Sequence, residues 1–192
     1  MRAEDCALVI LASGLSKRFG RDDKLMVDFR GKPLVQHVID AAKPVPFAER
    51  FAVISATSER RRKLFNSQGF SLIENDSPEA GQGGSLKRAA RGVSKKEHRA
   101  ICILLGDMPF VTTQDISGLV AGLLHKDRGI SYCNNTLIPP AIFQNEAVQE
   151  LIDIDPKSGA KALFNSRYFY KHPLSERAAR DIDTPETLAE LS

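Results

Sequence analysis

The sequence predicts an α/β fold, a three-layer α/β/α, Rossmann-like arrangement around a mainly parallel sheet. Two observations carry this prediction. Short apolar runs alternate with helical patterns along most of the 192 residues, and that alternation builds βαβ units. Two of the runs, residues 7–12 and 100–105, are apolar without interruption, as strands covered on both faces must be.

Residues 7–12, closed by Ser13 and Gly14, form the first strand. Residues 33–42 read as a helix with Leu34, Val38 and Ala41 on one face and Pro33 suited to its first turn. A second strand at 50–55 precedes a polar helix at 58–67, for which Ser58 is the expected N-cap, and a third strand follows at 70–74. A glycine-rich loop leads into a helix at 81–91. After the strand at 100–105, a helix at 113–124 places Ile116, Leu119, Val120 and Leu123 at helical spacing. From Gly129 the pattern loosens. Residues 130–133 and 140–143 suit short antiparallel strands, 146–152 and 159–165 helices, 168–171 a strand and 184–191 a last helix. No repeat or linker interrupts the chain, so residues 1–192 are expected to form one domain, with 129–192 extending the same sheet. Right-handed crossovers then place the loops after the strands along one edge, where ligands bind.

Composition narrows the function. Hydrophobic residues make up 42% and charged residues 27%, which excludes disordered and fibrous classes. The net charge of +3 is spread among interleaved acids and bases, unlike the basic excess of a nucleic-acid binder. Cys6, Cys102 and Cys133 have neither metal-ligand nor disulfide spacing; Cys6 and Cys102 adjoin apolar runs and are expected to be buried free thiols. No stretch approaches the ~20 apolar residues of a membrane span, and residues 7–12 are too short for a signal-peptide core. The expected protein is soluble and cytoplasmic, with no membrane or nucleic-acid partner.

The sharpest signal follows the first strand. Gly14 and Gly20 let the backbone turn tightly against a polyphosphate, while Ser16, Lys17, Arg18 and Lys24 supply donors and positive charge. A Walker loop does not fit, because Arg21 and Asp22 follow Gly20; nor does a dinucleotide fingerprint, because Ser16 replaces its second glycine. Asp107 lies just past residues 101–105, at a strand end from which a carboxylate reaches the ligand edge. Mg²⁺ on a triphosphate is held by one or two protein carboxylates plus phosphate oxygens and water, and Asp107 is the leading ligand. The competing role for Asp107 is an Asx-turn before Pro109. Asp22 and Asp23 are expected to pair with Arg21 and Lys24. His37, His98, His125 and His172 lack metal partners at short spacing and are expected to be structural.

The loop containing Leu11, Ala12, Ser13, Gly14, Ser16, Arg18, Phe19 and Gly20, with Lys24 after it, resembles the L-A-[AG]-G-x-S-x-R-[MF]-G signature of the MobA-like nucleotidyltransferases. The resemblance continues through Gly31, Lys32, Pro33 and Leu34; through Gly81, Ser85 and Leu86; through Gly106, Asp107, Met108 and Pro109; and through Gly159, Ala160, Lys161, Leu163 and Phe164. It ends in Asp181, Ile182, Asp183, Thr184, Pro185 and Glu186.

The resemblance implies a sheet of the nucleotide-diphospho-sugar transferase type, with a nucleotide-binding half at 1–128 and an acceptor-side half at 129–192. It assigns Arg18 to the β- and γ-phosphates, Lys24 to charge around the α-phosphate, and Gly81 and Ser85 to the base and ribose. Leu11, Ala12, Ser13, Gly14 and Ser16 complete the nucleotide contacts. Asp183 becomes the second metal candidate beside Asp107, with N-capping of the last helix as its competing role; Asp181 is expected to be a structural neighbour.

The activity implied is Mg²⁺-dependent transfer of CMP from CTP to the terminal phosphate of a molybdopterin-type acceptor. A molybdoenzyme or its maturation factor would receive the product. CTP is favoured because Ser13 stands where the cytidylyl enzymes carry Ala and the guanylyl enzymes Gly, and a side chain there narrows the space for a purine. Residues 156–157 and 137–140 depart from the family pattern on the acceptor side. A guanylyltransferase, a sugar-phosphate nucleotidylyltransferase and a nucleotide-binding cofactor-delivery protein are the alternatives.

Overall fold

A computed structural model describes residues 1–20, 22–93, 98–144, 146–155, 159–165 and 168–192. The strands are β1 (Cys6–Ala12), β2 (Asp28–Phe29), β3 (Lys32–Pro33), β4 (Glu49–Ser55), β5 (Ser71–Asn75), β6 (Ala100–Leu105), β7 (Arg128–Cys133), β8 (Thr136–Gln144) and β9 (Tyr170–Pro173). The helices are α1 (Leu34–Ala42), α2 (Glu59–Ser67), α3 (Gly81–Val93), α4 (Thr113–Gly122), α5 (Glu146–Asp153) and α6 (Pro185–Leu191). Seven strands make one sheet in the order β5-β4-β1-β6-β8-β7-β9, while β2 and β3 form a separate short hairpin. β4, β5 and β6 run parallel to β1. β8 is antiparallel to both β6 and β7, and β9 is parallel to β7. Only β8 opposes the rest.

The uninterrupted apolar strands explain the layers. Along β1, Cys6, Leu8, Ile10 and Ala12 enter one core with Val38 of α1, Phe65 of α2 and Leu119 of α4. Ala7, Val9 and Leu11 enter the other with Ala89 of α3 and Leu151 of α5. Alternate side chains of a strand point to opposite faces, so every residue of β1 is buried. This is the expected three-layer sandwich. A third, smaller cluster joins Phe19, Phe29, Leu34 and Ile182. It clamps the turn after β1 against the segment before α6, two regions about 160 residues apart in sequence.

Several local expectations are corrected. Ser58 stands at the N-cap position of α2 as expected, but its side chain makes no capping bond; its hydroxyl donates to Asp23 instead. Pro33 ends the β2–β3 hairpin and precedes α1 as its N-cap residue. The helix expected at 81–91 is α3, and it begins at Gly81 itself, so Gly81 to Leu86 are its first turns. Residues 160–164 wind as a 3₁₀ turn, not an α-helix, their short apolar stretch packing Phe164 against Phe143 and Phe169. The 140–143 strand is the inner part of the nine-residue β8, so the departure at residues 137–140 lies within a strand. Residues 156–157 lie outside the described residues. Gly122 allows β9 to lie against α4, since a Cβ there would come within 2.1 Å of the Tyr170 ring.

Among the described residues, no helix is long and apolar enough to cross a membrane. Cys6 and Cys102 are buried free thiols; desolvation raises the Cys6 pKa to about 11 and pushes that of Cys102 upward too.

Candidate active site

Parallel pairing brings the C-terminal ends of β1 and β6 to the same edge, and Gly106 N–H donates to the Leu11 carbonyl at 3.0 Å. Asp107 emerges there. Opposite it, Asp23 accepts from the Leu25 N–H at 3.1 Å and caps the 3₁₀ turn that carries Lys24. From the third direction comes Asp183, positioned by buried Ile182, whose N–H donates to the Asp107 carbonyl at 3.0 Å. Lys24 Nζ sits between the two carboxylates, 2.6 Å from Asp107 Oδ2 and 2.8 Å from Asp183 Oδ1.

Burial disfavours the Lys24 charge, but Asp107 and Asp183 outweigh that effect and hold its pKa above the ordinary lysine value. Lys24 in turn lowers the Asp183 pKa, with desolvation opposing and Arg18 assisting. Arg18 donates to Asp183 Oδ2 at 3.0 Å and is otherwise open to solvent. Thr184, not Asp183, caps α6, accepting from the Thr187 N–H. That leaves both Asp183 oxygens to the cations.

The donor set fits a divalent cation. Asp107 Oδ1 is buried without a hydrogen-bond partner, and a buried carboxylate oxygen left unpaired is costly. Because Lys24 bonds Oδ2, a cation on Oδ1 would not displace it. Asp181 feels desolvation first and then Asp183 and Asp107, and its pKa is raised. Among the described residues, no three His, Cys, Asp or Glu side chains are gathered as a metal cage. The arrangement suits a metal that completes its shell with ligand oxygens.

Beside this cluster opens a cavity of about 350 Å³. Of the nucleotide-contact residues named from the sequence, Leu11, Ser13, Gly14, Ser16, Gly81, Ser85 and Asp107 line it, while Ala12, Arg18 and Lys24 do not. Its floor is a buried polar trio. Ser13 Oγ and Ser85 Oγ lie 2.7 Å apart, and Asn75 Nδ2 donates to them at 3.2 and 3.3 Å. Asn75 was not anticipated; nothing in an isolated strand-end asparagine marks it.

Arg61 was not anticipated either. Asp23 pairs with this residue of α2 at 2.6 Å and not with Lys24, while Arg21, the other expected partner, lies outside the described residues; Arg61 also bonds the carbonyls of Ala12 and Gly14 and the Ser16 hydroxyl. Ser16, in the left-handed region (φ 54°), accepts from the Lys24 N–H at 3.1 Å. In sequence Arg61 is one of three consecutive arginines, and only burial distinguishes it. His37 bonds the Phe29 carbonyl, a structural role.

A second, larger cavity of about 990 Å³ includes Arg30, Phe110, Thr136, Ile138, Arg177 and Arg180 in its lining. The guanidinium groups of Arg30 and Arg177 both stack on Phe110, at 5.4 and 4.9 Å from its ring centre. It adjoins the C-terminal end of β7 and the start of β8. β7 and β6 have only β8 between them, so this groove lies roughly 10 Å along the same edge from Asp107, by the usual strand spacing.

An open, mainly parallel sheet that presents a lysine, two aspartates and a tightly turned small-residue loop at one edge defines a nucleotidyltransferase-type domain of the nucleotide-diphospho-sugar transferase fold. Residues 8–173 match the family model described as the MobA-like NTP transferase domain, and the chain belongs to that family. Bifunctional protein GlmU of Koribacter versatilis is 29% identical over 139 residues, covering 71% of this chain and 29% of that protein. The molybdenum cofactor guanylyltransferase of Pseudomonas putida is 31% identical over 115 residues, covering 60% of this chain and 56% of its own length. The chain thus spans well under two thirds of these curated relatives. The crystal structure of Rv0371c from Mycobacterium tuberculosis superposes with a TM-score of 0.83 at 20% identity, covering 100% of this chain and 98% of that one.

Proposed function

We propose that the protein transfers a nucleotidyl group from a nucleoside triphosphate, CTP in preference, to the terminal phosphate of a molybdopterin-type acceptor. A phosphate oxygen of the acceptor attacks the α-phosphorus, the bond from that phosphorus to the bridging oxygen breaks, and pyrophosphate leaves with the electron pair. The acceptor phosphate is already ionised at neutral pH, so no general base is needed. The observation that carries the reading is Lys24 held between Asp107 and Asp183, with Asp107 itself lining the loop-lined cavity.

Positioning and charge neutralisation supply the catalysis. Lys24 has three N–H donors, of which two are bonded; the third is left for the α-phosphate. Arg18, exposed beyond its bond to Asp183, reaches the β- and γ-phosphates. Asp107 Oδ1 and Asp183 would hold Mg²⁺, which neutralises triphosphate charge when bound. Ser13 and Ser85 close the floor beneath the base, and their shared hydrogen bond supports a pyrimidine over a purine. Residues 1–128 carry the nucleotide and lend Arg30 and Phe110 to the acceptor groove, while 129–192 supply the rest of that groove and Asp183, within one domain. Guanidinium groups of the larger groove suit an anionic acceptor that stretches along the edge to Asp107.

The guanylyl alternative draws on the guanylyltransferase relative. Pyrophosphate release from each of the four ribonucleotides, with and without molybdopterin, decides between them. Release from CTP that requires the acceptor is the expected result. Release from GTP instead would transfer the assignment to guanylyl transfer, and nucleotide binding with no release would leave a delivery protein.

A further inference from the structure

We propose that Arg61 is the positioning residue of the nucleotide loop: its guanidinium fixes both ends of residues 12–24 and turns the loop N–H groups toward the phosphates. The inference rests on the nucleotide reading above and adds to it a residue outside every recognised motif.

Arg61 is only 3% exposed. A buried guanidinium is costly unless its donors are satisfied, and here they are all used. Nη1 donates to the carbonyls of Ala12 at 2.6 Å and Gly14 at 2.9 Å. Nη2 donates to Asp23 Oδ1 at 2.6 Å and Ser16 Oγ at 3.2 Å, and Nε to Asp23 Oδ2 at 2.8 Å. Arginine has five N–H donors. None remains for a phosphate, so Arg61 acts through the loop and not on the ligand.

The direction of that action follows from the peptide bond. In a trans peptide the carbonyl and the next N–H point opposite ways. Since the Ala12 and Gly14 carbonyls both face Arg61, the N–H groups of Ser13 and Leu15 face away from it. That other side is the cavity of about 350 Å³, whose lining includes Ser13, Gly14 and Leu15. Among the described residues the Leu15 N–H meets no acceptor, as an amide set aside for a ligand oxygen should be.

At the far end of the loop, the Asp23 carboxylate serves three partners: it binds Arg61, accepts from the Ser58 hydroxyl and caps the turn of Lys24. One guanidinium therefore couples the amides of the loop to the placement of the lysine, a spacing that enters phosphate binding directly. Lysine cannot substitute, because an ammonium offers three donors from one point and cannot span four groups.

The test is calorimetric binding of CMP, CDP and CTP, each with Mg²⁺, to wild type and Arg61→Lys, with folding checked by circular dichroism. The loss of affinity should grow with the number of phosphates, reaching on the order of 10–100-fold for CTP with CMP little changed. A folded Arg61→Lys protein that binds CTP as wild type does, or that loses the same factor for all three ligands, overturns the proposal. Should Arg61→Lys fail to fold, Asp23→Asn, which removes the anionic end of the same brace, is read by the same criteria. If wild type binds none of the three, the nucleotide reading fails instead. The brace is then judged by amide hydrogen exchange at residues 13–17: faster exchange in the variant upholds it, and equal exchange refutes it.

Discussion

The two parts of the sheet fix the side chains at their shared edge differently. β5, β4, β1 and β6 all run the same way and deliver their C-terminal ends to one edge. The side chains emerging there are fixed by buried bonds: Arg61 behind the loop, Asn75 beneath Ser13 and Ser85, Lys24 between two carboxylates. β8, β7 and β9 instead end in a hairpin and an open groove. Its guanidinium groups rest on an aromatic face or on surface partners, such as Arg180 on Glu190. Under the proposed function, the first part is pre-organised for the triphosphate, so little ordering is needed on binding. The second, under the same proposal, can adjust to a larger acceptor. Substitutions should therefore cost more, and more selectively, in the first part.

The largest effect is expected at Lys24. In Lys24→Ala the two carboxylates lose the charge between them and the α-phosphate loses its cation. Turnover should fall on the order of 10²–10³-fold, with the circular dichroism spectrum unchanged. Pyrophosphate release is the measurement, and near-normal release would remove the premise that the first part is the catalytic one.

Base selection comes next. Ser13→Gly opens the floor beneath the base and leaves Ser85 and Asn75 bonded to each other. Discrimination of CTP over GTP, measured as the ratio of kcat/KM, should relax by roughly 10-fold, the low end for a small pocket change. A ratio that stays constant would move base selection away from the trio. The acceptor part should respond more mildly. Arg177→Ala removes one guanidinium from Phe110; the KM for the acceptor should rise several-fold, about the effect of one lost charge-assisted contact at a partly solvated site. Affinity for CTP should stay as it was. A change in CTP affinity of the same size would erase the division between the two parts.

That division also governs what could be read from the sequence. The uninterrupted runs of β1 and β6 announced buried parallel strands, and the residue types after them announced the loop and Asp107. Past Gly129 the strands are covered unevenly, so the pattern weakened; β8 was seen only in its inner part, because Thr136–Pro139 carry no alternation. Lys24, Asp107 and Asp183 were identified singly, but their mutual contact was not, since it depends on the packing of Phe19 and Ile182. Arg61 and Asn75 stayed invisible for a simpler reason. A polar residue that is buried by folding looks the same in sequence as one that is not.

The smallest expected effect separates the electrostatics of the site from its packing. Asp183 has a lowered pKa, chiefly through Lys24, so its ionised form stabilises the fold. That contribution is complete above the ordinary carboxylate pKa of about 3.9 and is lost as the pH falls through the depressed value. Lys24 has a raised pKa, so its share persists below the ordinary lysine value and disappears only in strongly alkaline solution. Wild type should therefore melt slightly above Asp183→Asn at pH 7, and the gap in Tm should close in acid. With 44% of the Asp183 side chain exposed, solvent screens the pair, so the gap should be small and should shrink with added salt. A gap that survives both acid and salt would mean that Asp183 is held by packing around Ile182, and that the charges at this edge follow the fold instead of reinforcing it.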